Sequence, residues 1–385
     1  MKIVCAPDKF KGSLTADEAA KAMARGIRTV FPKATIEHCP VSDGGEGFVD
    51  ALAASTGGEV GMVTVTGPLP TRHVTAPIAL IDRHLDRGDW ASVIEMSSAS
   101  GLALVPPAQR DPTRTTTFGT GELLNAASAC RRIFIGIGGS ATTDGGCGMA
   151  QAMGVTFFDA KGTRITQPIT GGSLHTIARI DTTLASLQEA RTRDITVACD
   201  VTNPLTGPNG AAYIYGPQKG ATPAQVKQLD EGLQHLARLV REQLGVDYEH
   251  TPGAGAAGGL GFGLMAFLGA TLKPGIELVL DAIHFDTRLQ HADLCLTGEG
   301  KLDGQSLAGK ACIGVAKAAK KQGVPTIALV GAATADANQA VNEGLLHSYH
   351  CIGEGLPAEE SMRRAGALLE RKAAEVCRMF FDRLI

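Results

Sequence analysis

The sequence predicts an α/β protein in which both ends of the chain build one doubly wound parallel sheet and the middle builds a second, mixed-sheet α/β unit. Three observations support this. Residues 2–56 and 292–383 alternate short apolar runs with helix signals, the pattern of a parallel sheet. Residues 62–82 instead hold two β-branched runs of period two around Gly67-Pro68-Leu69-Pro70, an antiparallel hairpin signal. Polar, glycine-rich turns follow one apolar run after another, which is where open α/β sheets carry ligands. The expected units are 1–66 plus 285–385 and 67–284, with the active site in the cleft between them; two consecutive units divided near residue 130 are the competing arrangement.

Taken in order, residues 2–6 read as a strand that stops at Pro7-Asp8, and Thr15-x-x-Glu18 is a capping box opening a helix that carries Arg25 and Arg28 near its end. Thr35 to Val41 gives the next strand, and Ser42-Asp-Gly-Gly-Glu-Gly47 leads to a helix from Phe48. After the hairpin, a strand precedes Glu95 and a polar turn spans Ser97 to Gly101. Ile133 to Ile135 is a strand, Gly136 to Gly148 a glycine-rich loop, and Met149 to Met153 a helix. A long amphipathic helix is bounded by Thr222 as cap, Pro223 at its first position and Gly245 just beyond Leu244. Gly253 to Ala270 is free of charge, but its first half is a Gly/Ala loop, so it reads as a glycine loop feeding a buried helix rather than a membrane span. Strands at Leu294–Leu296, Thr326–Val330 and near Tyr349–Ile352 then alternate with helices near Ile313–Lys321 and over Ala358–Arg383.

Composition narrows the function. The chain is 44% hydrophobic and 19% charged with a formal charge of −3 and no long Lys/Arg run, which leaves no electrostatic footprint for nucleic acid. The nine cysteines form no Cys-x-x-Cys pair, and the N-terminal apolar run is too short for a signal peptide, so a cytoplasmic protein with reduced thiols is expected.

Several motifs compete to carry the chemistry. Gly136-Ile-Gly138-Gly-Ser-Ala141, with Asp159 downstream, has the spacing of a dinucleotide fingerprint and predicts an NAD-dependent hydroxyacid dehydrogenase, but Asp144-Gly145-Gly146 interrupts the place where its helix should start. Gly304 to Ala311 has P-loop spacing without the Ser/Thr that would hold Mg²⁺. Asp43-Gly-Gly-Glu-Gly47 and Asp144-Gly-Gly-Cys-Gly148 echo each other as two anion-receptive helix starts, one for each charged reactant. Acids recur after predicted strands, at Asp8, Asp43, Asp200 and Glu299, with Asp303 close behind, and Lys11, Lys219 and Lys310 stand among the loops. Carboxylates for a metal and a proton, glycine-rich backbone for phosphates and a cation for the transferred group are the ingredients of phosphoryl transfer.

The motifs Ala6-Pro-Asp-Lys-Phe-Lys-Gly-Ser13, Pro40-Val-Ser-Asp-Gly-Gly-Glu-Gly47, Ile137-Gly-Gly-Ser-Ala-Thr-Thr-Asp-Gly-Gly146 and Cys199-Asp-Val-Thr-Asn-Pro-Leu205 resemble class I glycerate kinases. So do Gly216 to Gly220, Pro252 to Gly259 and Thr297-Gly-Glu-Gly300. Those bacterial enzymes phosphorylate D-glycerate with ATP, commonly giving 2-phosphoglycerate. The resemblance implies a Rossmann-like domain and an inserted α/β domain, D-glycerate and ATP as ligands, and Mg²⁺ as cofactor; a homodimer is compatible with it, and nucleic-acid or membrane partners are not expected. It places catalysis on Asp200 as first choice for general base, with Lys11 and Asp8. Substrate binding is expected at Asp43, Gly44, Gly45, Glu46 and Ser100, and metal binding at Asp43, Asp200 and Glu299. Nucleotide binding is expected at Gly138, Gly139, Ser140, Thr142, Asp144, Gly145, Gly146, Asn203, Gly258 and Lys310. Which glycine loop serves ATP and which glycerate, and whether the 2- or the 3-hydroxyl is the acceptor, stay open. Lys9 stands where many relatives carry Ser, and Thr143 where many carry Asn, so neither is expected to take part in catalysis.

Overall fold

A computed structural model describes residues 1–82, 90–307 and 310–382. Two principal sheets form. The first joins strands β1 (Lys2–Pro7), β2 (Thr35–His38), β11 (Leu294–Leu302), β12 (Thr326–Ala333) and β13 (Ser348–Cys351) in the order β13-β12-β11-β1-β2, all parallel. The second joins β3 (Glu59–Thr66), β4 (His73–Asp82), β5 (Trp90–Glu95), β6 (Arg132–Gly136), β9 (Asp194–Ala198) and β10 (Thr271–Lys273) in the order β10-β9-β6-β5-β4-β3. Its β3-β4-β5 part is antiparallel and the rest parallel, so it is the expected mixed sheet. A small antiparallel pair, β7 (Thr156–Phe158) and β8 (Arg179–Asp181), lies apart.

The first sheet comes from both ends of the chain, as read. Strand β3, however, falls within the expected 1–66 segment but is hydrogen-bonded to β4 in the second sheet. Hairpin partners meet at low entropic cost, so β3 follows β4 rather than the strands before it.

Alternation along β1 shows how the layers stack. Ile3 and Cys5 face helices α1 (Ala16–Val30) and α8 (Ala365–Asp382), whereas Val4 and Ala6 face the opposite side. On that side they meet α2 (Phe48–Thr56), α6 (Gly275–Ala282) and α7 (Ala311–Lys321), and the same core takes in Ala79, Ile81, Ala91 and Val93 of the second sheet. The two sheets therefore share a helical layer. The far face of the second sheet packs Ile94, Ile133, Ile135 and Val197 against α3 (Cys147–Ala152), α4 (Pro223–Leu244) and α5 (Ala256–Leu268).

Local signals placed many of these ends. Thr15 and Glu18 form the capping box of α1, Thr222 and Gln225 that of α4, and Gly245 closes α4 in the left-handed region. The last helix is split at Arg364 into Ala358–Arg363 and α8, and the expected end at Arg383 lies outside the described residues. No described helix is long and apolar enough to cross a membrane.

Candidate active site

Four strands and one loop send side chains toward one region. β1 delivers Asp8, β11 delivers Glu299, β9 delivers Asp200 and β5 delivers Glu95, while the loop before α2 delivers Asp43. Asp8 and Asp43 share Lys9, whose Nζ lies 3.8 Å from Asp8 Oδ1 and 3.9 Å from Asp43 Oδ1. Burial pushes the Asp8 carboxyl up to about 6, with the Asp43 charge adding to the rise and Lys9 opposing it. Glu299 is pushed up to about 7, first by burial and then by Asp8, against a hydrogen bond from Ser306. Asp200 is exposed as a residue, but its carboxyl turns inward: Oδ1 accepts from the Gly275 N–H at 2.7 Å, at the start of α6. Partial burial, with Asp43 adding and Lys310 and Gly275 opposing, raises it to about 6. Through these influences Asp8, Asp43, Asp200, Glu299 and Lys310 are linked electrostatically. Among the described residues Glu299 Oε1 is buried without a hydrogen-bond partner.

Beside this cluster lies a cavity of about 420 Å³ lined by Asp8, Lys9, Lys11, Ser13, Glu46 and Glu95, among others. Lys11 and Glu46 are exposed there. Lys9 is a residue that sequence reasoning set aside; its position next to Asp8, in a turn after a strand, was the available signal.

The glycine-rich loop from Gly136 to Gly148 plays a different part from the one expected. Asp144 is fully buried: its Oδ2 accepts from Thr117 N (2.7 Å), Thr117 Oγ1 (2.7 Å) and Gly148 N (3.3 Å), and its Oδ1 accepts from Gly146 N (3.2 Å). That carboxylate fills the start of α3, so it is not free to meet a nucleotide. Gly145 N donates to Gly258 O at 3.1 Å, a Cβ on Gly146 would stand 3.0 Å from Gly263 Cα, and one on Gly258 would stand 1.9 Å from Thr142 O. Close packing against backbone at Gly146 and Gly258, and against the Leu236 side chain at Gly145, together with a positive φ at all three, accounts for these glycines without a phosphate. Gly138 N donates to Gly44 O at 3.3 Å, and of the expected loop only Gly139 is exposed.

Ser140 and Thr142 are likewise engaged inside. Lys219, 2% exposed, donates from Nζ to Ser140 Oγ at 2.7 Å and Thr142 O at 2.6 Å, and burial pulls its pKa down to about 7. Ser100, expected at the substrate, is fully buried with its hydroxyl against Thr120 Oγ1 at 2.9 Å. Asn203 donates to Asn209 O and accepts from the Tyr215 hydroxyl, which holds its own loop. Gly44 is buried, Gly45 N donates to Asp43 Oδ1 at 3.3 Å, and Gly47 N donates to Glu95 Oε2 at 3.0 Å, so the helix start of α2 is also already filled. Lys310 stands just before α7 and sits within the field of Asp8, Asp200 and Glu299; Gly309, part of the near P-loop spacing, lies outside the described residues.

The dehydrogenase reading meets two corrections. The helix after the fingerprint starts at Cys147 rather than near Ala141, and Asp159 spends Oδ1 on the N–H groups of Lys161 and Thr163 in its own turn. Neither a pyrophosphate turn nor a ribose acceptor is formed.

A family model described as the glycerate kinase family matches residues 3–381. The glycerate kinase of Bacillus subtilis (strain 168) is 45% identical over 380 residues, 98% of this chain and 97% of that one. The glycerate 2-kinase of Escherichia coli (strain K12) is 48% identical over 350 residues, 90% of this chain and 89% of its own. The crystal structure of a Salmonella typhimurium LT2 protein assigned as glycerate kinase 2 superposes with a TM-score of 0.88 at 42% identity, covering 99% of this chain and 98% of that one.

Proposed function

The chain belongs to the glycerate kinase family, and from that premise we propose that it transfers the γ-phosphoryl group of ATP to a hydroxyl of D-glycerate, releasing ADP. The 2-hydroxyl is the acceptor we assign, in line with the name of the Escherichia coli relative. The observation that carries the reading is that Asp8, Asp43, Asp200 and Glu299 lie within electrostatic reach of one another's neighbours and of Lys9 and Lys310.

Asp200 is the proposed general base. With Oδ1 held by Gly275, the other oxygen remains for the glycerate hydroxyl, and a carboxyl near 6 is ionised at neutral pH yet more basic than an ordinary aspartate. As the glycerate oxygen bonds to the γ-phosphorus, its proton passes to Asp200 and the bond from that phosphorus to the β,γ-bridging oxygen breaks. Lys9, Lys11 and Lys310 offset the charge that spreads over the transferred group. Lys310, at the start of α7, is the residue we assign to the nucleotide phosphates, since the starts of α2, α3 and α6 are filled by Glu95, Asp144 and Asp200.

The donor chemistry fits Mg²⁺. Carboxylate oxygens are the hard ligands it takes, and the orphaned Glu299 Oε1 is an acceptor a cation would satisfy. Among the described residues no three His, Cys, Asp or Glu side chains converge as a cage. The fit is therefore to an ion brought with nucleotide phosphates and held by one or both of Asp43 and Glu299, since Asp200, expected among the ligands from sequence, is committed to Gly275 and the hydroxyl proton. Mg²⁺ bound there would neutralise charge between the β- and γ-phosphates. All nine cysteines stand free, which suits a reducing compartment such as the cytoplasm.

In a coupled ADP-release assay, Asp200→Asn lowers kcat by roughly 10²–10⁴ with little change in glycerate KM. Turnover within a few-fold of wild type removes Asp200 from the role, and wild-type protein that consumes no ATP with D-glycerate ends the kinase reading.

A further inference from the structure

Glu95 ends β5 in the second sheet, yet its carboxyl is spent on a helix of the shared layer. Oε2 accepts from Gly47 N and Phe48 N, each at 3.0 Å, and from Val49 N at 3.5 Å. Those are the free N–H groups and the positive dipole end of α2, where an anion is favoured. The helix start that resembles a phosphate cradle in sequence thus holds an anion from the protein itself, 7% exposed and bordering the cavity beside Asp8, Lys11 and Glu46. The segment it pins carries Asp43, whose carboxylate faces Lys9 and influences Asp8 and Asp200. Close neighbours leave that segment little freedom: a Cβ on Gly275 would stand 2.0 Å from the backbone oxygen of Asp43, and one on Gly44 would stand 2.4 Å from the Ala198 side-chain Cβ.

We propose that Glu95 is a positioning residue for phosphoryl transfer, a strut from β5 to α2 whose carboxylate occupies the N-terminal anion hole of that helix and thereby holds Asp43 and Glu46 against the reacting groups. The role in catalysis rests on the kinase reading; the strut itself does not. Residues that hold a reacting group in place matter through geometry, since misplacement of about 1 Å can lower a rate by about 10²-fold.

The test uses full-length Glu95→Ala and Glu95→Gln, assayed well below their melting temperatures. Glu95→Ala loses roughly tenfold or more in kcat. Sodium formate, a carboxylate small enough for the vacated hole, restores several-fold of that loss in the variant and leaves wild type unchanged. Glu95→Gln, which keeps an acceptor oxygen, falls between and serves if the alanine variant does not fold. In a double-mutant cycle the losses from Glu95→Ala and Asp43→Asn are less than additive, because both act through one carboxylate. Hydrogen exchange reads the strut without turnover: amides of residues 44–49 lose protection in Glu95→Ala and regain it with formate. Unchanged protection, kcat within twofold of wild type, or additive losses overturn the proposal. If wild type fails to turn over ATP and D-glycerate, the kinase reading falls, and the exchange experiment alone decides the strut.

Discussion

Glu299→Gln should make the protein more stable at pH 8 and no more stable at pH 5. Glu299 is 9% exposed, and its carboxyl is raised from 4.5 to about 7, chiefly by burial. A folded-state value above the unfolded one means that the folded protein holds this proton more tightly. The stability linked to that proton is fully present below about 4.5 and is lost as pH rises through about 7. At about 1.4 kcal/mol per pH unit, the interval corresponds to about 3 kcal/mol of destabilisation at pH 8. Glutamine is neutral and nearly the same shape, keeps an acceptor for Ser306, and lifts the Coulomb repulsion with Asp8. For 385 residues the unfolding entropy is about 0.8 kcal/mol/K, so the expected rise in Tm is roughly 2–4 °C. Scanning calorimetry of nucleotide- and metal-free protein at both pH values is the assay, with kcat measured alongside. Activity should drop as stability rises, the trade expected where a site keeps strained charge for function. A lower Tm at pH 8, or the same shift at both pH values, refutes the assignment of buried, costly charge to Glu299.

Two further variants probe the glycine-rich loop. Asp144→Asn keeps the shape but sets an amide N–H₂ against a ring of donors formed by Thr117, Gly146 and Gly148, and should lower stability by about 3 kcal/mol in urea unfolding; a change under about 1 kcal/mol would show that the carboxylate is not what orders the start of α3. Gly258→Ala puts a methyl group 1.9 Å from Thr142 O at a φ of +71°, and should lower soluble yield or Tm sharply, whereas a wild-type melting curve would mean the loop can retreat from α5.

Much of the fold was legible because its signals are local. The ends of α4 follow from Thr222, Pro223 and Gly245 alone, and the glycine loop read before Leu260 appears as positive φ at Ala257, Gly258 and Gly259 inside the α5 span. The acids of the site were legible for a similar reason: Asp8 and Asp200 closely follow β1 and β9, Asp43 lies in the loop after β2, Glu299 lies in the later half of β11, and parallel strands bring their carboxyl ends to one side. The assignment of β3 to its sheet was not, since sheet membership is a long-range pairing.

The two Asp-Gly-Gly loops show where local reading stops. In both, the aspartate accepts from the N–H two residues on, Asp43 from Gly45 and Asp144 from Gly146, so the echoed hydrogen bond is local, although Gly146 starts its helix at positive φ and the matching Gly45 does not. What each turn then does was decided by chain far away. Thr117 and the glycines around Gly258 close over Asp144 and bury it, whereas Glu95 arrives from β5 to fill the α2 start and leaves Asp43 free to face Lys9. A segment can specify its own dihedral angles and hydrogen bonds to near neighbours, but whether a charge ends in the core or at a ligand depends on which distant groups remove it from water. Only the packed structure supplies those groups.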